Sequence, residues 1–116
     1  MKNLAPSATA SRATAAPRPR RAAPPPPTHL EPPERVLWGE VHQAFMLDDA
    51  ASLALFRSAL EAHQRARRCR EAIDRDGEAV RDRWQQLKPH PLLSAERDAR
   101  AAFLAAMRAL NLDLGA

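Results

Sequence analysis

Proline is confined to two places in this chain. Nine of the eleven lie within residues 1–33, and the other two are Pro89 and Pro91. A helix interior does not tolerate proline, because its ring lacks the N–H and clashes with the carbonyl four residues back. The stretch 34–88 is therefore open to long helices, and residues 1–33 are not. Alanine, serine and threonine make up much of that start, and large apolar side chains are nearly absent. Such a segment cannot bury enough surface to offset its ordering entropy. The expectation is a disordered Pro/Arg/Ala-rich N-terminal arm over residues 1–30, with Pro24 to Pro27 forming a short polyproline II rod. One folded domain, residues 31–116, follows.

Helical periodicity accounts for that domain. Leu37, Trp38, Val41, Ala44 and Phe45 recur at helical spacing and predict a first helix over 32–46, opened by Pro32 with Glu34 at the positive end of its dipole. Asp48 as N-cap and Gly77 as terminator predict a long central helix over 49–76. Along it Leu55, Ala59, Ala62, Ala66, Cys69 and Ile73 form a heptad-like seam that a second helix could approach closely. Residues 78–90 read as a polar connector with scope for a short extended arm near Ala79, Val80 and Trp84. Within it, Lys88-Pro89-His90-Pro91 reads as a stiff basic link, since each proline drives its predecessor toward extended backbone.

A third helix is expected over 91–110. Leu92, Ala95, Ala99, Ala102, Phe103, Ala106 and Leu110 form one apolar stripe, and Ala101, Leu104, Ala105 and Leu112 a second. A helix apolar on two sides needs burial on both. The fold class is thus all-α, a three-helix core that self-associates. Leu55, Ala59, Ala62, Ala66, Leu104 and Ala105 are the expected oligomer interface.

Charge is divided unevenly. Lys2, Arg12, Arg18, Arg20 and Arg21 give residues 1–30 a charge of +5 with no acid, so the net +4 of the whole chain comes from the arm. A clustered cationic arm suits a polyanion. Arg12, Arg18, Arg20 and Arg21 are the leading DNA-contact candidates, with Arg65, Arg67, Arg68 and Lys88 behind them. On the central helix the simpler account is i,i+4 ion pairing of Glu61–Arg65, Arg67–Glu71 and Arg70–Asp74, which leaves Arg68 without a partner on its own helix. Trp38 reads as core, while Trp84 lies in a polar stretch and is open to stacking on bases. Asp74 and Asp76 read as solvated.

Catalytic machinery is not expected. The three glycines are far apart, so no phosphate-cradling loop can be built, and the four histidines lack metal-ligand spacing. Asp48-Asp49 is accounted for as a cap and a first-turn acid. His63 reads as a partly buried, hydrogen-bonded residue. The single Cys69 excludes an internal disulfide or a cysteine zinc site. No cofactor or metal is expected, no run is long and apolar enough to span a membrane, and no secretory leader is visible. The acid-poor start has some likeness to an organelle transit peptide, but the proline run opposes the amphipathic helix such peptides form.

The order of parts resembles one viral family. Pro24-Pro25-Pro26-Pro27-Thr28-His29-Leu30 precedes a short helix bearing Trp38, and Leu47-Asp48-Asp49 opens a long helix. Gly77, then Leu87-Lys88-Pro89-His90-Pro91, then a last helix ending in Leu110-Asn111-Leu112 complete the series. Over residues 17–114 this resembles the small subunit of bacteriophage terminase, in the group with an all-helical core and a Pro-His-Pro connector. The resemblance implies a non-catalytic protein that assembles into rings, binds double-stranded phage DNA near the packaging start and regulates the large subunit, which carries ATPase and nuclease. It also implies the cytoplasm of the bacterial host, with Lys88, Pro89, His90 and Pro91 as a structural connector. A small helical DNA-binding regulator and an adaptor that binds protein only, through its proline-rich arm, are the alternatives.

Overall fold

The computed structural model describes residues 23–112. Three helices dominate: α1 (Pro32–Ala44), α2 (Ala50–Asp76) and α3 (Leu93–Leu110). Between α2 and α3 a small antiparallel hairpin joins β1 (Ala79–Arg81) to β2 (Leu87–Pro89), with Val80 opposite Lys88. The fold is therefore mostly helical with one long central helix, and the connector is a true hairpin rather than a loop.

Residues 23–30 are part of this folded unit, which corrects the expectation of a free arm up to residue 30. The indole Nε1–H of Trp38 donates to the Pro24 carbonyl at 2.8 Å, and Arg35 reaches the Pro27 carbonyl at 3.2 Å. Polyproline II backbone has no internal hydrogen bonds, so its carbonyls are available to such donors. Thr28 and His29 then turn the chain, and Leu30 enters the core with 4% exposure. The core joins Leu30, Trp38 and Leu47 to Phe56, Ala59 and Leu60 of α2, and Phe103, Ala106, Met107, Leu110 and Leu112 pack on it from the C-terminal side. Trp38 and Phe56 stack with ring centroids 5.4 Å apart. Phe56 and Leu60 are essentially fully buried, each stabilising by about 2–3 kcal/mol on transfer grounds.

Helix ends follow local hydrogen bonding. Pro32 and Pro33 open α1, where their missing N–H groups would have no partner. The helix stops at Ala44, two residues short of Met46, where the backbone of Phe45 turns extended while its N–H still closes a last helical bond to the Val41 carbonyl. Asp49, not Asp48, caps α2: its carboxylate accepts the Ser52 amide at 2.9 Å. Gly77 ends α2 at φ +90°, a conformation that suits a residue without Cβ. α3 begins at Leu93 rather than Pro91, since Pro91 and Leu92 form a turn in which Leu93 N–H meets the His90 carbonyl at 3.1 Å. It ends at Asn111 in the left-handed region, φ 53°.

α2 and α3 form the most extensive contact in the molecule. They run antiparallel, as Arg70 meets Glu96 while His63 meets Phe103. Met107 on α3 and Leu112 just beyond its end face the core, whereas Ala102, placed on the inner stripe by periodicity, is exposed.

Candidate nucleic-acid interface

Arginine on α2 is largely engaged from within. Glu34, in the first turn of α1, is completely buried and takes the Arg67 guanidinium as a fork, Nε to Oε2 and Nη2 to Oε1, both at 3.0 Å. His63 donates Nδ1–H to the same carboxylate at 2.6 Å. Arg67 also binds Glu31 and, at 2.9 Å, Glu71. Arg68 binds Glu31 through Nε at 3.0 Å and through Nη2. The Glu31 amide donates to Gln64 Oε1 at 2.7 Å, and Gln64 reaches the His29 carbonyl at 3.3 Å. The entry to α1 is thus clasped to the middle of α2. Burial alone would raise the Glu34 carboxyl, but Arg67 and His63 outweigh it and hold it below the ordinary glutamate value. Arg68 and then Arg67 hold Glu31 low in the same way.

Other expected pairings are replaced. Arg67–Glu71 forms, but Glu61 takes His29 at 2.7 Å instead of Arg65, and Arg70 takes Glu96 at 2.7 Å instead of Asp74. Arg100 joins Glu96 from the other side at 3.2 Å. Asp76 is exposed, as expected, but it also accepts Nε2–H of the buried His90 at 3.0 Å. The His90 ring is fixed in that tautomer, because its Nδ1 accepts the Leu92 amide at 3.0 Å.

The DNA-contact candidates therefore separate. Arg67 and Arg68 face carboxylates at the entry to α1, Glu34 and Glu31. Lys88 stands 3.5 Å from Asp82. Arg65 is exposed and, among the described residues, has no carboxylate partner. Arg57 and Arg108 share that state, and periodicity did not single them out. Arg57 lines a surface hollow with Pro24, Pro25 and Pro27. Arg12, Arg18, Arg20 and Arg21 lie outside the described residues.

The hairpin turn adds a feature that sequence left open. Asp82 accepts the amides of Trp84 and Gln86 on Oδ1 at 2.8 and 3.0 Å, and its main-chain carbonyl accepts Gln85 N–H at 2.9 Å. These bonds to the Gln86 and Trp84 amides, with Lys88 nearby, depress its carboxyl against the opposing effect of burial. Gln85 sits at φ 64°, and Arg81 closes the turn onto its carbonyl at 2.8 Å. Trp84 projects with 65% exposure, the Arg83 guanidinium 4.3 Å from its ring centre.

Of the expected interface residues, Ala59 and Ala62 are 0% and 8% exposed within one chain, so they offer no surface to a second copy. Leu55 and Ala66 are half-buried, and Leu104 and Ala105 are exposed. Ala66 and Leu104 border an open hollow of about 440 Å³ between α2 and α3, floored by Phe103 and rimmed by Arg67, Arg70 and Arg100. Among the described residues no group of three His, Cys, Asp or Glu could hold a metal ion, and no helix is long and apolar enough to cross a membrane. No family model, no curated protein and no solved structure matches the chain.

Proposed function

We propose that this chain is a non-catalytic, self-associating DNA-binding subunit of a viral genome-packaging machine, equivalent to a small terminase subunit, working in the cytoplasm of the bacterial host. The basic stretch captures duplex DNA, the helical unit assembles copies around it, and the assembly regulates a large subunit that supplies ATPase and nuclease. The observation that carries this reading is where free positive charge resides. The arginine run of α2 is mostly matched by Glu31, Glu34, Glu71 and Glu96, while the five cations of the first thirty residues have no neighbouring acid in sequence. Arg57 lies beside Pro24, near the start of the described residues. Self-association is supported by the apolar outer face of α3 and the hollow beside Leu104, and it would multiply weak phosphate contacts into avidity. Trp38 already holds the proline rod, which weighs against a protein-only adaptor using that rod as its ligand.

The test is a titration of the full chain with duplex DNA across salt concentrations, alongside its native mass. An oligomer whose log K falls with log salt is expected. Replacing Lys2, Arg12, Arg18, Arg20 and Arg21 by Ala should flatten that slope by up to about 4.5, at roughly 0.9 for each phosphate no longer neutralised. A monomer indifferent to DNA at low ionic strength would overturn the reading.

A further inference from the structure

The hairpin between α2 and α3 carries a tryptophan that the fold does not use. The chain has two tryptophans and no tyrosine. Trp38 is 5% exposed and stacked in the core, whereas Trp84 is 65% exposed at the turn. The turn is nonetheless firmly built. Asp82 ties down two amides, Arg81 braces the Gln85 carbonyl, and the foot of the hairpin is anchored where His90 N–H meets the Glu78 carbonyl at 2.7 Å and His90 Nε2–H meets Asp76. A large aromatic with two side-chain torsions on a hydrogen-bonded turn loses little further entropy on contact, which is why such residues act as anchors.

Charge around the ring selects the partner. The Arg83 guanidinium lies 4.3 Å from the ring centre, Arg81 and Lys88 add positive charge from the two strands on opposite faces of the hairpin, and the acid of the turn, Asp82, is turned inward with 16% side-chain exposure. Cations beside an open π face match a strand that offers phosphates and bases together. We infer that the 81–88 turn is a nucleic-acid contact in which Trp84 stacks on an exposed base while Arg83 beside it meets a flanking phosphate, with Arg81 and Lys88 adding to the positive field of the hairpin. The inference rests on the DNA-binding reading above and adds a site to it, separate from the basic N-terminal stretch. The base face comes from a single strand or from a duplex that opens a step, and both present the same chemistry to the turn.

Fluorescence titration of the full chain separates these cases, because Trp38 is buried and contributes a steady background. A short single-stranded oligonucleotide and a duplex of the same sequence are the probes. Quenching of Trp84 emission is expected. Trp84→Ala should weaken binding roughly tenfold, as stacking on one base implies. Its salt slope should stay unchanged, since no charge is removed, and Trp84→Phe should recover most of the affinity. The exposed position makes both variants neutral for folding, checked by circular dichroism. If the parent binds either DNA and Trp84→Ala binds it within about twofold, below what removal of one stacked base implies, this inference fails and the packaging reading stands. A parent that binds neither DNA removes both. Equal quenching of Trp84 by poly-glutamate would assign the turn to an acidic protein and also overturn the inference.

Discussion

Glu34 is the residue whose removal should be felt most widely. Its carboxylate is wholly inside the fold, and Arg67 and His63 satisfy it. Glu34→Gln keeps the volume but leaves the Arg67 guanidinium, itself only 24% exposed, short of a charge. A destabilisation of about 2–3 kcal/mol is expected, read as a lower urea midpoint. Glu71→Gln, whose carboxylate is 61% exposed, should cost no more than about 0.5 kcal/mol. The pH response has a defined sign. Glu31, Glu34, Asp76 and Glu96 all have folded values below their ordinary ones, so in the acid range the unfolded chain binds more protons. Stability is full above about pH 4.5, the ordinary carboxylate range, and falls as pH drops through the folded values. Glu34→Gln should shallow that decline. The sequence placed Glu34 only as a dipole-complementing acid. Its spacing of three and four from Leu37 and Trp38 puts it on the apolar face, but its partners lie 29 and 33 residues away, beyond the reach of local pattern.

Elements were legible where one physical signal dominated and obscure where three-dimensional partners decided. Apolar period and the absence of proline marked all three helices, and their ends moved by one or two residues because caps depend on which side chain reaches which amide. The strands were hard to read: each has three residues, with no alternation of buried and exposed positions on β2. The prolines of Leu87–Pro91 marked a boundary correctly, yet the residue that holds it is His90 between them. Its ring holds the Leu92 amide just ahead of α3 and ties the hairpin to the end of α2 through Asp76. His90→Ala should cost about 1–2 kcal/mol, the worth of the hydrogen bonds to the Leu92 amide and the Asp76 carboxylate. Amide exchange should locate the damage in residues 79–89 and the first turn of α3, with the middle of α2 still protected. Uniform loss of protection would mean that the hairpin is not a separate locking element.

At the scale of the whole molecule, the sequence showed an apolar surplus without showing which part of it the chain hides from water. The seam of α2 had two possible claimants, a second copy or α3 of the same chain. In the structure Ala59 and Ala62 lie in the chain's own core, and α2 packs chiefly on α3. What remains outside is smaller: Leu104 at 47% exposure with Ala101, Ala102 and Ala105 on α3, together with Val36, Met46 and Leu87. This division makes self-association testable apart from folding. Leu104→Glu places a charge on the outer face of α3, where a single chain has water to solvate it. Helix content and urea midpoint should hold, while the sedimentation mass moves toward the monomer. The dissociation constant should rise by at least about tenfold, since a leucine no longer buries its side chain between copies and a carboxylate must be desolvated. Ala59→Leu should behave in the opposite way, overpacking the core by about 1–3 kcal/mol without changing how the subunits meet. If Leu104→Glu leaves the native mass unaltered, the outer face of α3 is not where copies meet. The proposed assembly would then have to be built through the hairpin or α1.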